Sequence, residues 1–306
     1  MALEESTTAT GEWVDTHKPI VVAVDGSERN RAAVLWAAHE AADTGCVLTL
    51  VTAVEDHVVA TPHFSVRSQD QEALDMLADV RHEVHHVVDE HQVRSEVVTG
   101  SPVDVLLDRA REARLLVVGK RGLGTFARII VGSTSIALAG RAHVPVAIVP
   151  DKWHPEEHRG APIVLGIDPY KVDQRPVDLA FRRAARLGVP LVLVHGWETP
   201  TVYSWDAAAV AGVTSEWEQQ ARGEFEGLAG TWHARFPDVD LRVVHRNQHP
   251  AMAVLDAAED AQLVVLGRHT DSKLGGFTFG SVARAVLHYS VCPVVVAPAD
   301  KTGPAA

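Results

Sequence analysis

The sequence predicts two tandem domains of the doubly wound α/β class, each with helices on both faces of a mostly parallel sheet. Three observations lead there. The 306 residues exceed the size at which one hydrophobic core usually stops growing, so two units of about 140 residues are expected. Four blocks of sequence recur in the same order in both halves. The apolar runs in these blocks do not alternate with polar residues, which marks strands covered on both faces and hence a parallel sheet between helix layers.

Along the chain, residues 1–18 read as a loose N-terminal tail. The first domain, 19–150, opens with IVVAVDGS (20–27), a Val/Ile run and so a strand. Ala33, Leu35, Trp36, Ala37 and Ala41 then follow at helical period before the next apolar run, VLTLVTAVED (47–56), which gives β-α-β. RLLVVGKRG (114–122) forms the fourth strand, and GSTSIALAGRAHVPVAIVP (132–150) the last helix and strand. Residues 151–162, DKWHPEEHRGAP, carry Pro, Gly and charge without period and read as a linker. The second domain, 163–299, repeats the series as IVLGIDPY (163–170), PLVLVHGWE (190–198), QLVVLGRHT (262–270) and GSVARAVLHYSVCPVVVAP (280–298), with Pro293 in the place of Pro145. Residues 300–306 form a C-terminal tail.

With 46% apolar and 22% charged residues, the composition is that of a folded globular protein. The 40 acidic against 28 basic residues give a net charge of -12, a field that repels polyanions, so no nucleic-acid partner is expected. A phosphate ligand therefore needs local N–H groups and a few placed cations. The chain shows neither a run of about 18 apolar residues nor the basic-then-apolar order of a signal peptide, so no membrane partner and a cytoplasmic location are expected. Cys46 and Cys292, one in each half, suit a reducing compartment and read as buried spectators.

The chemistry concentrates after the fourth strand of the first domain, where Gly119-x2-Gly122-x9-Gly132-Ser133 runs into the last helix, opened by Ser133, Thr134 and Ser135. Gly119 and Gly122 let the backbone approach an anion as a Cβ would not. Ser133 sits where a helix N-terminus exposes N–H groups and the positive end of its dipole. Lys120 and Arg121 can add local positive charge. Asp25 and its counterpart Asp168 close the first strand of each copy, at the carboxyl edge where open α/β sheets hold ligands. A carboxylate there repels phosphate, so Asp25 would accept from ribose hydroxyls or an adenine edge, or help hold Mg2+; the plainer reading is a turn-forming Asp-Gly-Ser. The second copy keeps the spacing as Gly267-x2-Thr270-x9-Gly280-Ser281, and has Pro169-Tyr170 in place of Gly26-Ser27. If Gly122 uses positive φ, threonine at the equivalent position is strained by about 1–2 kcal/mol, roughly tenfold in affinity, and the second site is expected to be the weaker.

From about residue 19 to 299 these features resemble the universal stress protein family in its tandem two-domain form. The first copy matches the G-x2-G-x9-G-(S/T) pattern of its ATP-binding subgroup at every fixed position. The resemblance implies two Rossmann-like domains, each with a mostly parallel five-stranded sheet, and ATP, with or without Mg2+, as ligand. It also implies a regulatory role in stress adaptation or growth arrest. By the same resemblance Ala23, Val24, Asp25 and Ala53 correspond to adenosine contacts, and Gly119, Arg121, Gly122, Gly132, Ser133 and Thr134 to the phosphate cradle. Carried onto the second copy, the set is Gly166, Ile167, Asp168, Gly196, Gly267, Arg268, Thr270, Gly280, Ser281 and Val282.

Other patterns weigh less. His82-Glu83-Val84-His85-His86 satisfies HExxH, but Leu74, Leu77, Val80, Val84 and Val87 trace an apolar stripe nearly opposite His82 and His86, which should therefore face water. Gly122-Leu123-Gly124-Thr125-Phe126-Ala127 fits a relaxed dinucleotide fingerprint without its acidic partner about 20 residues on. Neither pattern recurs in the second copy. Trp205, Trp217 and Trp232 read as core or interface residues. A regulator that works through nucleotide-dependent conformation or assembly needs a cradle but no nucleophile, and no base-plus-water constellation can be assembled. The enzymatic alternative is a slow Mg-dependent ATPase or nucleotidyl transferase with Asp25 and Lys120 or Arg121 at the phosphates. A third reading is a scaffold whose like domains pair through their final strands. Self-association is expected as an intramolecular pseudo-dimer and as a homodimer, with a protein partner the sequence does not identify.

Overall fold

The computed structural model describes residues 18–55, 69–122, 131–198, 207–268 and 280–299. The first half contains β1 (Ile20–Ala23), α1 (Arg31–Thr44), β2 (Leu48–Val54), α2 (Gln69–Val84), β3 (Val93–Thr99), α3 (Pro102–Ala110), β4 (Leu115–Gly119), α4 (Ser133–Arg141) and β5 (Val146–Val149). The second half repeats this as β6 (Ile163–Gly166), α5 (Gln174–Leu187), β7 (Leu191–Trp197), α6 (Ala207–His233), β8 (Leu241–Asn247), α7 (Pro250–Ala257), β9 (Leu263–Gly267), α8 (Ser281–Tyr289) and β10 (Val294–Ala297). The predicted α/β repeat is thus present, with five strands and four α-helices to a half among the described residues.

The two five-stranded units are not separate sheets. They join into one ten-stranded sheet of order β3-β2-β1-β4-β5-β10-β9-β6-β7-β8. All pairings are parallel except β5 with β10, which run antiparallel with Ala147 opposite Val295 and with Val146 opposite Val296. Ala147 and Val295 hold the same place in their respective copies, so a pseudo-twofold axis passes through this pair. β1 and β4 in one half, and β6 and β9 in the other, are buried Val/Ile/Leu strands because helices cover both their faces. β3 and β8 lie at the sheet edges, and their exposed Arg94, Arg242 and Arg246, with half-buried Glu96, discourage pairing with another chain.

Away from the central strands the halves are joined by charge. Glu40 of α1 is buried and paired with Arg183, and with Arg186 at 2.9 Å, both on α5. Burial would raise the Glu40 carboxyl, but the two guanidinium groups outweigh it and hold the group below its usual range. The Arg183 guanidinium also lies 5.1 Å over the Trp36 ring. Residues 151–162, unperiodic in sequence, are packed: Pro155–His158 form a 3-10 turn, and Trp153 is buried with its ring stacked 3.8 Å from His158. Cys46 and Cys292 are both buried and reduced. Among the described residues no helix is long and apolar enough to cross a membrane.

Candidate functional site

Strand order reverses between β1 and β4, which lie side by side while their connections run to opposite sides of the sheet. Such a reversal leaves a crevice outside the strand carboxyl ends. A cleft of about 1090 Å3 occupies that position in the first half. Its lining includes all ten first-half residues singled out above, Ala23, Val24, Asp25, Ala53, Gly119, Arg121, Gly122, Gly132, Ser133 and Thr134. The strand ends, with Leu106 of α3, supply an apolar wall suited to a planar base; the glycine segment and the start of α4 supply the polar end.

Each part of the cleft has a local cause. After β1 the chain turns at Gly26, whose φ of 74° is in the left-handed region. Asp25 Oδ1 accepts from Ser27 N at 2.9 Å and Ser27 Oγ at 2.7 Å. The Asp-Gly-Ser segment is therefore a side-chain-closed turn, and its Asp25 also lines the cleft. The second carboxylate oxygen faces the glycine segment: a Cβ built on Gly122 would lie 2.7 Å from Asp25 Oδ2. This corrects the conformational argument for Gly122. Among the described residues the positive-φ glycines are Gly26, Gly45, Gly100, Gly160 and Gly188, so Gly122 is required by the close approach of Asp25, not by its backbone angle. α4 starts at Ser133 behind Gly132, whose φ and ψ of -65° and 146° place it just outside the helix. The first N–H groups of α4 have no intrahelical acceptor, and their residues Ser133 and Thr134 line the cleft, so the helix start can take an anion there.

Two buried polar residues were not found from the sequence. Asn30 Nδ2 donates to Ala23 O at 3.0 Å, and Thr52 Oγ1 donates to Val24 O at 2.9 Å; both line the cleft and fix the end of β1. Thr52 was legible in principle as a polar residue inside LTLVTAV. Ser135 Oγ donates to Gly119 O at 2.8 Å, which ties the first turn of α4 to the end of β4.

The cations divide differently from the sequence reading. Arg121 lines the cleft. Lys120 turns away: only 8% exposed, it donates from Nζ to Ser290 O at 2.8 Å in the other half. Burial pushes its ammonium down to about 8. Its main chain stays with the cradle, since Lys120 O accepts from Gly132 N at 2.8 Å.

Among the described residues of the second half, α7 stands closer to the strand ends than α3 does in the first. Gly166 and Gly196 stand where the first half has Ala23 and Ala53, and α7 uses the vacated space. A Cβ on Gly196 would lie 2.7 Å from Pro250 Cα and 2.9 Å from Ala253 Cβ; one on Gly166 would lie 2.7 Å from Leu266 Cδ2 and 2.8 Å from Val254 Cγ2. The helix is seated against β6 and β7 where α3 in the first half leaves room. Asp168 keeps the local turn by accepting from Tyr170 N at 3.0 Å. Ile167 is half-buried at the end of β6, and Gly267 ends β9, where a Cβ would lie 3.3 Å from Pro176 Cγ. Gly280, Ser281 and Val282 open α8 as their counterparts open α4. Arg268 does not serve this half's crevice: its Nη1 donates to Gly140 O at 2.8 Å and Ala142 O at 2.9 Å, beyond the central strands. Thr270 lies outside the described residues.

The competing patterns recede. α2 ends at Val84, so His86 lies past the helix that HExxH requires, and His82 and His86 are exposed. The apolar stripe is broken by Leu74, which is exposed, while Leu77 and Val84 are buried. Among the described residues no group of three His, Cys, Asp or Glu is arranged to hold a metal ion. Residues 124–127 of the dinucleotide fingerprint and Trp205 lie outside the described residues, as does the side chain of Trp217; Trp232 is buried.

Comparison with known proteins agrees with the repeat. The profile of the Universal stress protein family matches residues 16–150 and again 161–298. The universal stress protein Rv2005c of Mycobacterium tuberculosis is 34% identical over 293 residues, 91% of this chain and 96% of that one. A universal stress protein of Mycolicibacterium smegmatis is 33% identical over 92% of this chain and 97% of its own. In fold, the chain is similar to a universal stress protein from Archaeoglobus fulgidus, with TM-score 0.63, 20% identity, and coverage of 94% of this chain and 98% of that one. With a family match in each half and relatives that align along nearly its whole length, the chain belongs to the universal stress protein family as a tandem, two-copy member.

Proposed function

We propose that this protein is an ATP-binding regulator of stress adaptation or growth arrest. In this reading ATP sits in the first-half cleft and biases conformation or assembly between chains. The observation that carries it is the cleft at the β1/β4 reversal, whose apolar strand ends, Gly119-to-Gly122 segment and α4 N-terminus offer a base, a sugar and phosphates their respective partners in one continuous space. In this reading Asp25 Oδ2, which faces the glycine segment, accepts from a ribose hydroxyl or a base N–H. Mg2+ would enter with the triphosphate, since the described residues hold no ready metal cluster. α7, seated on Gly166 and Gly196, argues for one nucleotide per chain.

The test is direct. Small molecules released by denaturing the freshly purified protein are identified by mass spectrometry, and ATP binding is titrated calorimetrically for the wild type, Asp25→Ala and Asp168→Ala. The expected result is a stoichiometry near one, weakened about tenfold or more by Asp25→Ala and left intact by Asp168→Ala. Equal losses from the two changes, or two equivalent sites, would sink the asymmetric reading. Single-turnover hydrolysis on the same proteins separates regulator from enzyme.

A further inference from the structure

Arg268 is an unusual use of a buried cation. It follows β9 in the second half, is 8% exposed, and is anchored through its own N–H to Ala297 O at 2.9 Å. Its guanidinium crosses to the first half and meets the carboxyl end of α4, with Nη1 at 2.8 Å from Gly140 O, 2.9 Å from Ala142 O and 3.4 Å from Ala139 O. α4 needs this. Its carboxyl end runs into extended backbone at Ala142, φ -62° and ψ 147°, with none of the left-handed glycine that closes α1 at Gly45 and α5 at Gly188. Ala139 and Gly140 are among the carbonyls that a helix end leaves without an intrahelical donor.

The other end of α4 is the polar end of the cleft. The helix has nine residues and is about 13 Å long, so it is a short rod whose two ends move together. A guanidinium at its negative pole is favourable there, and its sign also favours an anion at the opposite pole. The arrangement is reciprocal: Lys120, whose carbonyl accepts from Gly132 N in the cradle, sends its ammonium to Ser290 O at the carboxyl end of α8. Lys120 and Arg268 occupy the same place in the two copies, each capping the last helix of the other half.

We propose that Arg268 is a positioning residue for the first-half cleft, reaching out of the second half to hold the carboxyl end of α4 so that its amino end stays presented to the phosphates. The inference rests on the nucleotide reading above for its ligand and on the hydrogen bonds for its geometry. It gives the second half, where α7 packs closely against Gly166 and Gly196, a function in binding.

The experiment compares the wild type, Arg268→Met, Arg268→Lys and Arg186→Met as full chains. ATP affinity is titrated, and amide exchange of residues 133–141 is followed by mass spectrometry without nucleotide. Arg186→Met removes one arm of the Glu40 pair between the same halves and touches neither α4 nor the cleft. Arg268→Met is expected to weaken ATP about tenfold and to speed exchange in α4, Arg268→Lys to recover part of both, and Arg186→Met to leave both near wild type. Wild-type affinity in Arg268→Met, or equal effects from Arg186→Met, would overturn the proposal. Should the wild type take no ATP, the functional reading falls and exchange alone decides: acceleration confined to α4 sustains the positioning function, and acceleration spread over the chain overturns it.

Discussion

At Gly122 one hydrogen in place of a methyl group decides the shape of the site. A Cβ there would come within 2.7 Å of Asp25 Oδ2, and Asp25 cannot simply swing away, because its other oxygen is held by both the N–H and the hydroxyl of Ser27. Gly122→Ala is therefore expected to lower ATP affinity about tenfold while leaving the melting temperature within about a degree of wild type, as read by titration and thermal unfolding. Undiminished affinity would show that Asp25 and the glycine segment need not approach each other in the bound state. Gly122 was visible in the sequence through its spacing from Gly119 and Gly132, but its reason was not, since contact across 97 residues of chain is a property of the sheet and not of the motif.

Between elements, the difference between the halves comes from how closely a helix approaches a strand. α3 and α7 hold corresponding places, yet α7 seats against β6 and β7 because glycine replaces alanine at residues 166 and 196. Gly196→Ala would press a methyl group into the main chain of Pro250 and the Cβ of Ala253, contacts that only movement of α7 can relieve. A loss of about 1–3 kcal/mol in urea unfolding is expected from this overpacking. The reverse change, Ala53→Gly, opens no clash and should cost only about 0.5–1 kcal/mol through backbone freedom. At this scale the sequence was partly legible. The apolar runs of β1, β2, β4 and β5 and their counterparts announced themselves, whereas β3 and β8 carry Arg94, Glu96, Arg242 and Arg246 because edge strands meet solvent, and so they gave no apolar run to read.

For the molecule as a whole, β5–β10 pairing and the buried Glu40 and Lys120 contacts make two sequence repeats into one sheet with a pseudo-twofold axis. Burying an ion pair is weak evidence for stability, since desolvation offsets much of the attraction, but Glu40 and its arginines satisfy each other only when the halves meet in this register. Lys120 gives the interface a pH dependence. Its ammonium is lowered from 10.5 to about 8 by burial, with Arg121 adding to the effect. Below pH 8 both folded and unfolded chains hold this proton and the cost of burying the charge is fully present. Between about 8 and 10.5 the folded chain releases it first, so stability rises with pH across that window. Compared with Lys120→Met, the wild type is expected to gain stability from pH 8 to 10.5 in chemical denaturation, and a constant difference between the two proteins would contradict the assignment.

The sequence by itself determined the fold class, the tandem repeat and the glycine segment that lines the first-half cleft, because strand burial, helix period and glycine spacing are local patterns that need no partner to be read. The tertiary structure decided where the cations go. Lys120 and Arg268 sit beside the glycines in sequence, where a cation suits a phosphate, but at the end of a central strand a long side chain can turn either into its own crevice or across the pseudo-twofold axis. The helix carboxyl ends of the opposite half, with carbonyls awaiting donors, draw both of them across. The difference between the halves has its own cause: how close a helix stands to a strand is set by pairs such as Gly196 with Pro250, which only the folded chain brings together.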